Sequence, residues 1–156
     1  MIVIGIDPGT TRIGYGIIRN ESSRLSYIAH GIITNGGKDK MLDFQATEKN
    51  LAALIKKHKP SMAGIEKLFF FKNQKTVMSV SEMRGVILLT LARHGLPVQE
   101  FTPLEVKRNV SAYGRAEKDQ VERMVKALLK IRNLPGPDDA VDALAIAICC
   151  SNNIIS

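Results

Sequence analysis

Only two cysteines occur in the 156-residue chain, and they are neighbours, Cys149 and Cys150. Adjacent thiols cannot staple distant segments, so a disulfide-built domain is excluded, and the pair suits a reduced cytoplasm as small buried apolar groups. Long apolar runs are also missing. The longest, Met1–Ile6 and Ala143–Cys150, are broken by Asp7 and Asn152, well short of the roughly 18 residues of a membrane span. The first residues lack a basic segment followed by an apolar stretch and cleavage site, so no secretory signal and no membrane partner are expected. No internal repeat or linker interrupts the chain, which reads as a single domain over 1–156. Acidic residues are the scarcer charge, 15 against 22 Lys and Arg, leaving a net +7.

What is present is ordinary for a globular protein, with 45% hydrophobic and 24% charged residues. A chain of this length buries about 68–70% of its unfolded surface, enough for an unassisted core. The cationic surplus favours a polyanionic partner, because Lys and Arg release condensed counterions when they meet phosphates. Some basic enzymes carry such a surplus without binding nucleic acid.

Met1–Asp7 is a short apolar run ending in a carboxylate and then Pro8-Gly9-Thr10-Thr11, a central strand entering a tight turn. Arg12–Ile18 and Leu25–Thr34 supply two further strands, separated by the turn cluster Asn20-Glu21-Ser22-Ser23 and closed by Asn35-Gly36-Gly37. Short turns between consecutive strands predict an antiparallel meander. The period then becomes helical from about Lys38 to His58, where Pro60 stops it. Ser61–Glu66 is another strand ending in an acid. Asn73–His94 is a long amphipathic helix with Gly95 as its left-handed cap, and Leu96–Phe101 is the last strand. Glu105–Val110, Glu117–Lys130 and Asp138–Asn152 read as helices, the second facing inward through Val121, Met124, Val125 and Leu128. Helices between the later strands imply parallel pairing by right-handed crossovers. The expected fold is a three-layer α/β domain, with a mixed five-stranded sheet of a three-strand antiparallel meander plus two parallel strands.

Four carboxylates stand out by position. Asp7 and Glu66 terminate apolar strands, and ligands of open α/β sheets gather beyond such ends. Asp139 and Asp142, three apart at the start of the last helix, share a face. Clustered acids raise one another's pKa unless a cation sits between them, and Mg²⁺ is suited to a few carboxylates plus substrate phosphates. Two such ions can activate water and stabilise the leaving oxygen of a phosphodiester. Blander roles exist. Asp7 suits a turn residue bonding the Gly9–Thr10 amides, Glu66 the first solvated position after its strand, and Asp138 or Asp139 a helix cap after Pro137. Asp142 is hardest to explain so, because it is embedded in Ala140-Val141-Asp142-Ala143-Leu144-Ala145 on a helix that should pack on the sheet.

Gly5-Ile6-Asp7-Pro8-Gly9-Thr10-Thr11-Arg12-Ile13-Gly14-Tyr15-Gly16, Ile65-Glu66-Lys67-Leu68-Phe69-Phe70, Arg84-Gly85-Val86, Phe101-Thr102-Pro103-Leu104-Glu105-Val106-Lys107, Gly114-Arg115-Ala116-Glu117-Lys118 and Asp139-Ala140-Val141-Asp142-Ala143-Leu144-Ala145 together resemble the RuvC-type crossover (Holliday) junction resolvases. The resemblance runs in order over essentially the whole chain. It implies an RNase H-like fold, a homodimer, Mg²⁺ or Mn²⁺ as two ions per site, and cleavage of two like-polarity strands of a four-way DNA junction to 5′-phosphate and 3′-hydroxyl ends. By the same resemblance Asp7, Glu66, Asp139 and Asp142 form the metal-binding catalytic set, with Asp138 left as a helix cap. Phe69 resembles the base-stacking wedge, and Lys107 and Lys118 the lysines that contact the backbone near the scissile phosphate. A cytoplasmic, nucleoid-associated bacterial setting and handoff to a branch-migration helicase of the RuvA–RuvB type are implied as well. The chain's tail after Asn152 is shorter than the basic tails of some relatives.

Independently of that resemblance, Phe69-Phe70-Phe71 follows Glu66 closely and could stack on unpaired bases or fill the core. Arg108, Arg115 and Arg123 add cations near the acids, as solvated helix charges also would. The helix from Asn73, with Val77, Ser81, Met83 and Gly85, is the candidate dimer interface. Two other functions stay open: an RNase H-like nuclease acting on structured RNA, and a junction binder without catalysis. Asp7-Pro8-Gly9-Thr10-Thr11 also resembles the first phosphate loop of actin-like and sugar-kinase ATPases, which need a second such domain that this sequence does not contain.

Overall fold

The computed structural model describes residues 1–68, 74–111 and 117–153. Strand β1 (Ile2–Asp7) pairs antiparallel with β2 (Arg12–Glu21), and β2 pairs antiparallel with β3 (Arg24–Thr34). On the other side of β1 lie β4 (Met62–Glu66) and β5 (Val98–Phe101), both parallel, giving the order β3-β2-β1-β4-β5. The meander and the two parallel strands stand as the sequence predicts. Five helices complete the described chain: α1 (Lys40–His58), α2 (Gln74–Arg93), α3 (Pro103–Ser111), α4 (Lys118–Leu129) and α5 (Asp138–Asn152). No helix among the described residues is long and apolar enough to cross a membrane.

The strands read as unbroken apolar runs because both faces of the sheet are covered. Ile4, Ile6, Ile13, Ile17, Ala63 and Ile65 pack towards Leu51 and Ile55 of α1 and Ile87 and Leu91 of α2. Val3, Ile18 and Met62 face the opposite layer, with Val106, Val121, Val125 and the length of α5. Helix ends follow their capping chemistry. Asp39 accepts the Met41 and Leu42 amides at 2.8 and 3.1 Å to start α1. Gly95, at φ +69, closes α2 with the Leu96 amide donating to the Leu91 carbonyl at 3.1 Å.

Three details depart from expectation. Strand β2 runs on through Asn20 and Glu21, so the turn shrinks to Ser22-Ser23, both at positive φ as a two-residue hairpin requires. Asn20 is a buried strand residue whose Nδ2 donates to Ser151 Oγ at 2.6 Å, satisfying both polar groups inside the protein. In α4 the buried stripe is Val121, Val125 and Leu129, whereas Met124 turns outward at 36% exposure. In α2 Met83 is only 2% exposed and belongs to the core, so the outer face instead shows Met78, Gly85 and Leu89.

Helix α5 lies directly on strand backbone. A Cβ added at Gly5 would stand 2.1 Å from the Ala143 carbonyl oxygen, and one at Gly14 would stand 2.0 Å from that of Asp139. Bare backbone at these two positions sets the height of α5 above the ends of β1 and β2. Cys149 and Cys150 are fully buried in that helix, and burial pushes both thiols up to about 12, so neither is a nucleophile at neutral pH.

Candidate active site

Two short-range facts fix the acids. Parity along β1 and β4 sends Ile6 and Ile65 to the α1–α2 layer, so Asp7 and Glu66, next in each strand, point to the α5 layer. Asp139 and Asp142 come from the first turns of α5, held down at Gly5 and Gly14. Chain segments far apart in sequence thus deliver carboxylates to one corner of the molecule.

Their mutual field shows in the protonation. Burial pushes Asp7 up to about 8, and the nearby Glu66, Asp142 and Asp139 add to the rise. Glu66 is pushed up to about 7, first by burial and then by Asp142. Burial also raises Asp142, aided by Asp138 and Asp139. Lys118 opposes the rise at Asp7 and Asp142, and Lys107 opposes it at Glu66 and Asp142. A cavity of about 480 Å³ opens here, lined by Glu66, Lys107, Lys118 and Asp142 among others. Both lysines singled out in the sequence therefore share this recess with Glu66 and Asp142.

The two remaining acids differ. Asp139 is paired with Arg12, Nη2 to Oδ2 at 2.8 Å. Asp138 is not the N-cap of α5. That position is Pro137, and Asp138 is a first-turn acid beside the positive helix end, 3.6 Å from Lys118. Among the described residues, no three carboxylate, histidine or cysteine groups are gathered tightly enough to hold one ion. All-oxygen donors that raise one another's pKa nonetheless fit a hard divalent cation, and Mg²⁺ takes one or two carboxylates, its remaining ligands being water and substrate phosphate. Within the described residues Asp7 takes no hydrogen bond from the Gly9 or Thr10 amides, which removes the turn-residue explanation for it. Phe69, Phe70, Phe71 and Arg115 lie outside the described residues.

The family model described as crossover junction endodeoxyribonuclease RuvC matches residues 3–150. A RuvC crossover junction endodeoxyribonuclease of Syntrophomonas wolfei is 48% identical over 150 residues, covering 96% of this chain and 87% of that protein. The chain belongs to the RuvC family. Another RuvC, from Caldanaerobacter subterraneus subsp. tengcongensis, is 46% identical and covers 99% of this chain and 96% of its own. Thermus thermophilus RuvC, solved in complex with Holliday junction substrate, superposes with a TM-score of 0.92 at 24% identity, over 99% of this chain and 94% of that one. The architecture is therefore the RNase H-like fold of RuvC, as the sequence motifs imply.

The partners of Arg12 and Arg84 are not legible in the sequence. Arg84 opens the Arg84-Gly85-Val86 motif, but nothing in its spacing reveals that its Nε donates to the Glu66 carbonyl at 3.2 Å while its Nη2 pairs with Glu100. Arg12 likewise gives no local sign of Asp139, which sits on a distant helix.

Proposed function

We propose that this RuvC-family protein is a structure-selective endonuclease that resolves four-way DNA junctions by paired symmetric nicks in recombination and repair, acting as one nuclease domain. The observation that carries the reading is one recess lined by Glu66, Asp142, Lys107 and Lys118, with Asp7 close enough to feel Glu66, Asp142 and Lys118. Acids alone would repel a phosphodiester. Acids with a cation among them, flanked by lysines, make a site that both accepts a phosphate and polarises it.

Asp7, Glu66, Asp139 and Asp142 are the residues that would hold Mg²⁺ or Mn²⁺, two ions per site. When bound, the ions supply an ionised water at neutral pH and stabilise charge on the leaving oxygen. Lys107 and Lys118 seat the scissile phosphate at the mouth of the recess and offset part of the rise that burial imposes on the neighbouring carboxylates. Because Asp7 and Glu66 hold protons near neutrality without a cation, the two are primed to release them when one arrives. Phe69 is the side chain we assign to stacking on bases at the junction centre. A homodimer gives two related sites for two symmetric cuts, and the exposed outer face of α2 is where we place its interface. A cytoplasmic setting and handoff from a RuvA–RuvB type helicase complete the reading.

The test compares a four-way junction, its linear duplex arms and a structured RNA with and without Mg²⁺. Junction nicking in symmetric pairs, abolished by Asp7→Asn with junction binding retained, is the expected outcome. Cleavage of the RNA at equal or greater rate, or binding without any nicking, overturns it.

A further inference from the structure

Strand β1 pairs with β4 as far as Ile6 and Ile65. Two residues past Ile6 stands Pro8, which has no N–H to donate. The Glu66 carbonyl thus lies beyond that ladder, and a backbone acceptor at the end of a strand needs a partner from elsewhere. Arg84, in the middle of α2 and only 16% exposed, supplies it: Nε donates to the Glu66 oxygen at 3.2 Å. The same guanidinium pairs through Nη2 with the Glu100 carboxylate on β5. One planar fork therefore joins α2 to the last turns of two adjacent strands. It grips β4 through its main chain, while the Glu66 side chain opens into the recess with Lys107 and Asp142.

We infer that Arg84 is a positioning residue for the reaction, fixing the end of β4 and so the aim of the Glu66 carboxylate at the cation. It touches neither substrate nor the reacting atoms; Glu100 holds the fork in orientation. The geometry suits arginine and not lysine, because two partners at a fixed angle match a guanidinium fork and a single ammonium serves one of them. Outer-layer partners of this kind typically change metal affinity or activity by about 10–100-fold when removed. This inference rests on Glu66 holding the cation, as proposed above.

Three full-length variants test it, Arg84→Lys, Glu100→Gln and Glu66→Gln, each measured by Mn²⁺ titration calorimetry, junction affinity and single-turnover nicking. Arg84→Lys retains the charge and the aliphatic stem, so its melting temperature should stay within a few degrees of wild type. Its Mn²⁺ affinity should weaken about 10-fold and its nicking rate fall about 10–100-fold, with junction affinity changed less than about 2-fold. Glu100→Gln keeps the shape and weakens the fork, and should move the same two quantities in the same direction by less. A folded Arg84→Lys with wild-type Mn²⁺ affinity and nicking rate overturns the inference. Should Arg84→Lys not fold, Glu100→Gln decides by the same two readouts. Glu66→Gln separates the two proposals: if it still binds Mn²⁺ and nicks normally, the assignment of the site fails, whatever Arg84 does.

Discussion

At Asp7 the environment asks a carboxyl group to give up water and sit beside three others. The consequence is a pH dependence with a definite sign. Asp7 rises from 3.8 to about 8 and Glu66 from 4.5 to about 7, so between those limits the folded protein holds protons that the unfolded chain has released. Stability then falls as pH rises wherever the native state binds more protons. Without divalent ions, these two groups should favour the fold least at and above about pH 8 and penalise it not at all below about pH 4. Calorimetric melting from mildly acid to about pH 8 should show the decline, Asp7→Asn should flatten it, and Mg²⁺ or Mn²⁺ should raise the melting temperature most at the alkaline end. A metal-free melting temperature that climbs through that window by way of Asp7 would contradict the placement. The acids were legible in the sequence because a strand-end position and a three-residue helical spacing are local signals. Arg12 and Arg84 were not, because their partners belong to other elements and leave no periodic trace.

At the scale of elements, the parallel–antiparallel division was legible from turn lengths, since short turns force neighbours antiparallel and helical crossovers force them parallel, whereas the place of β4 beside β1 rather than β3 leaves no mark in those lengths. Sequence and structure part where a residue's type and its burial disagree. Asn20 looks like a turn residue, and only its distant partner Ser151 makes it a tolerable interior one. Met124 is apolar and at helical spacing, yet the stripe that meets α5 runs through Val121, Val125 and Leu129. The seating of α5 was equally hidden, because nothing in the sequence shows that the helix lies against Gly5 and Gly14. Gly14→Ala is therefore expected to cost about 1–3 kcal/mol by overpacking. It should also lower nicking more than it lowers junction affinity, because the methyl meets the carbonyl of Asp139 itself. Urea denaturation alongside single-turnover nicking measures both. Unchanged stability would mean that α5 can lift without penalty.

Over the whole molecule the surplus of cations becomes a salt dependence. With a net charge of +7, junction binding should weaken steeply as salt rises, the logarithm of affinity falling linearly with the logarithm of concentration. Replacing Lys107 and Lys118 by Ala should reduce that slope by about 1 for each phosphate no longer neutralised, and should do so equally for junctions of different sequence. A slope identical to wild type in the double variant would remove both lysines from the DNA path. Helix α5 sets a further property of the molecule. It is buried along nearly its whole length, touches every strand of the sheet and also carries Asp139 and Asp142. Catalytic machinery in many enzymes sits on loops that loosen before the scaffold does. With the proposed acids on the scaffold's central rod, heat inactivation and global melting should coincide in one transition, with no warmed, still-folded species that has merely gone silent.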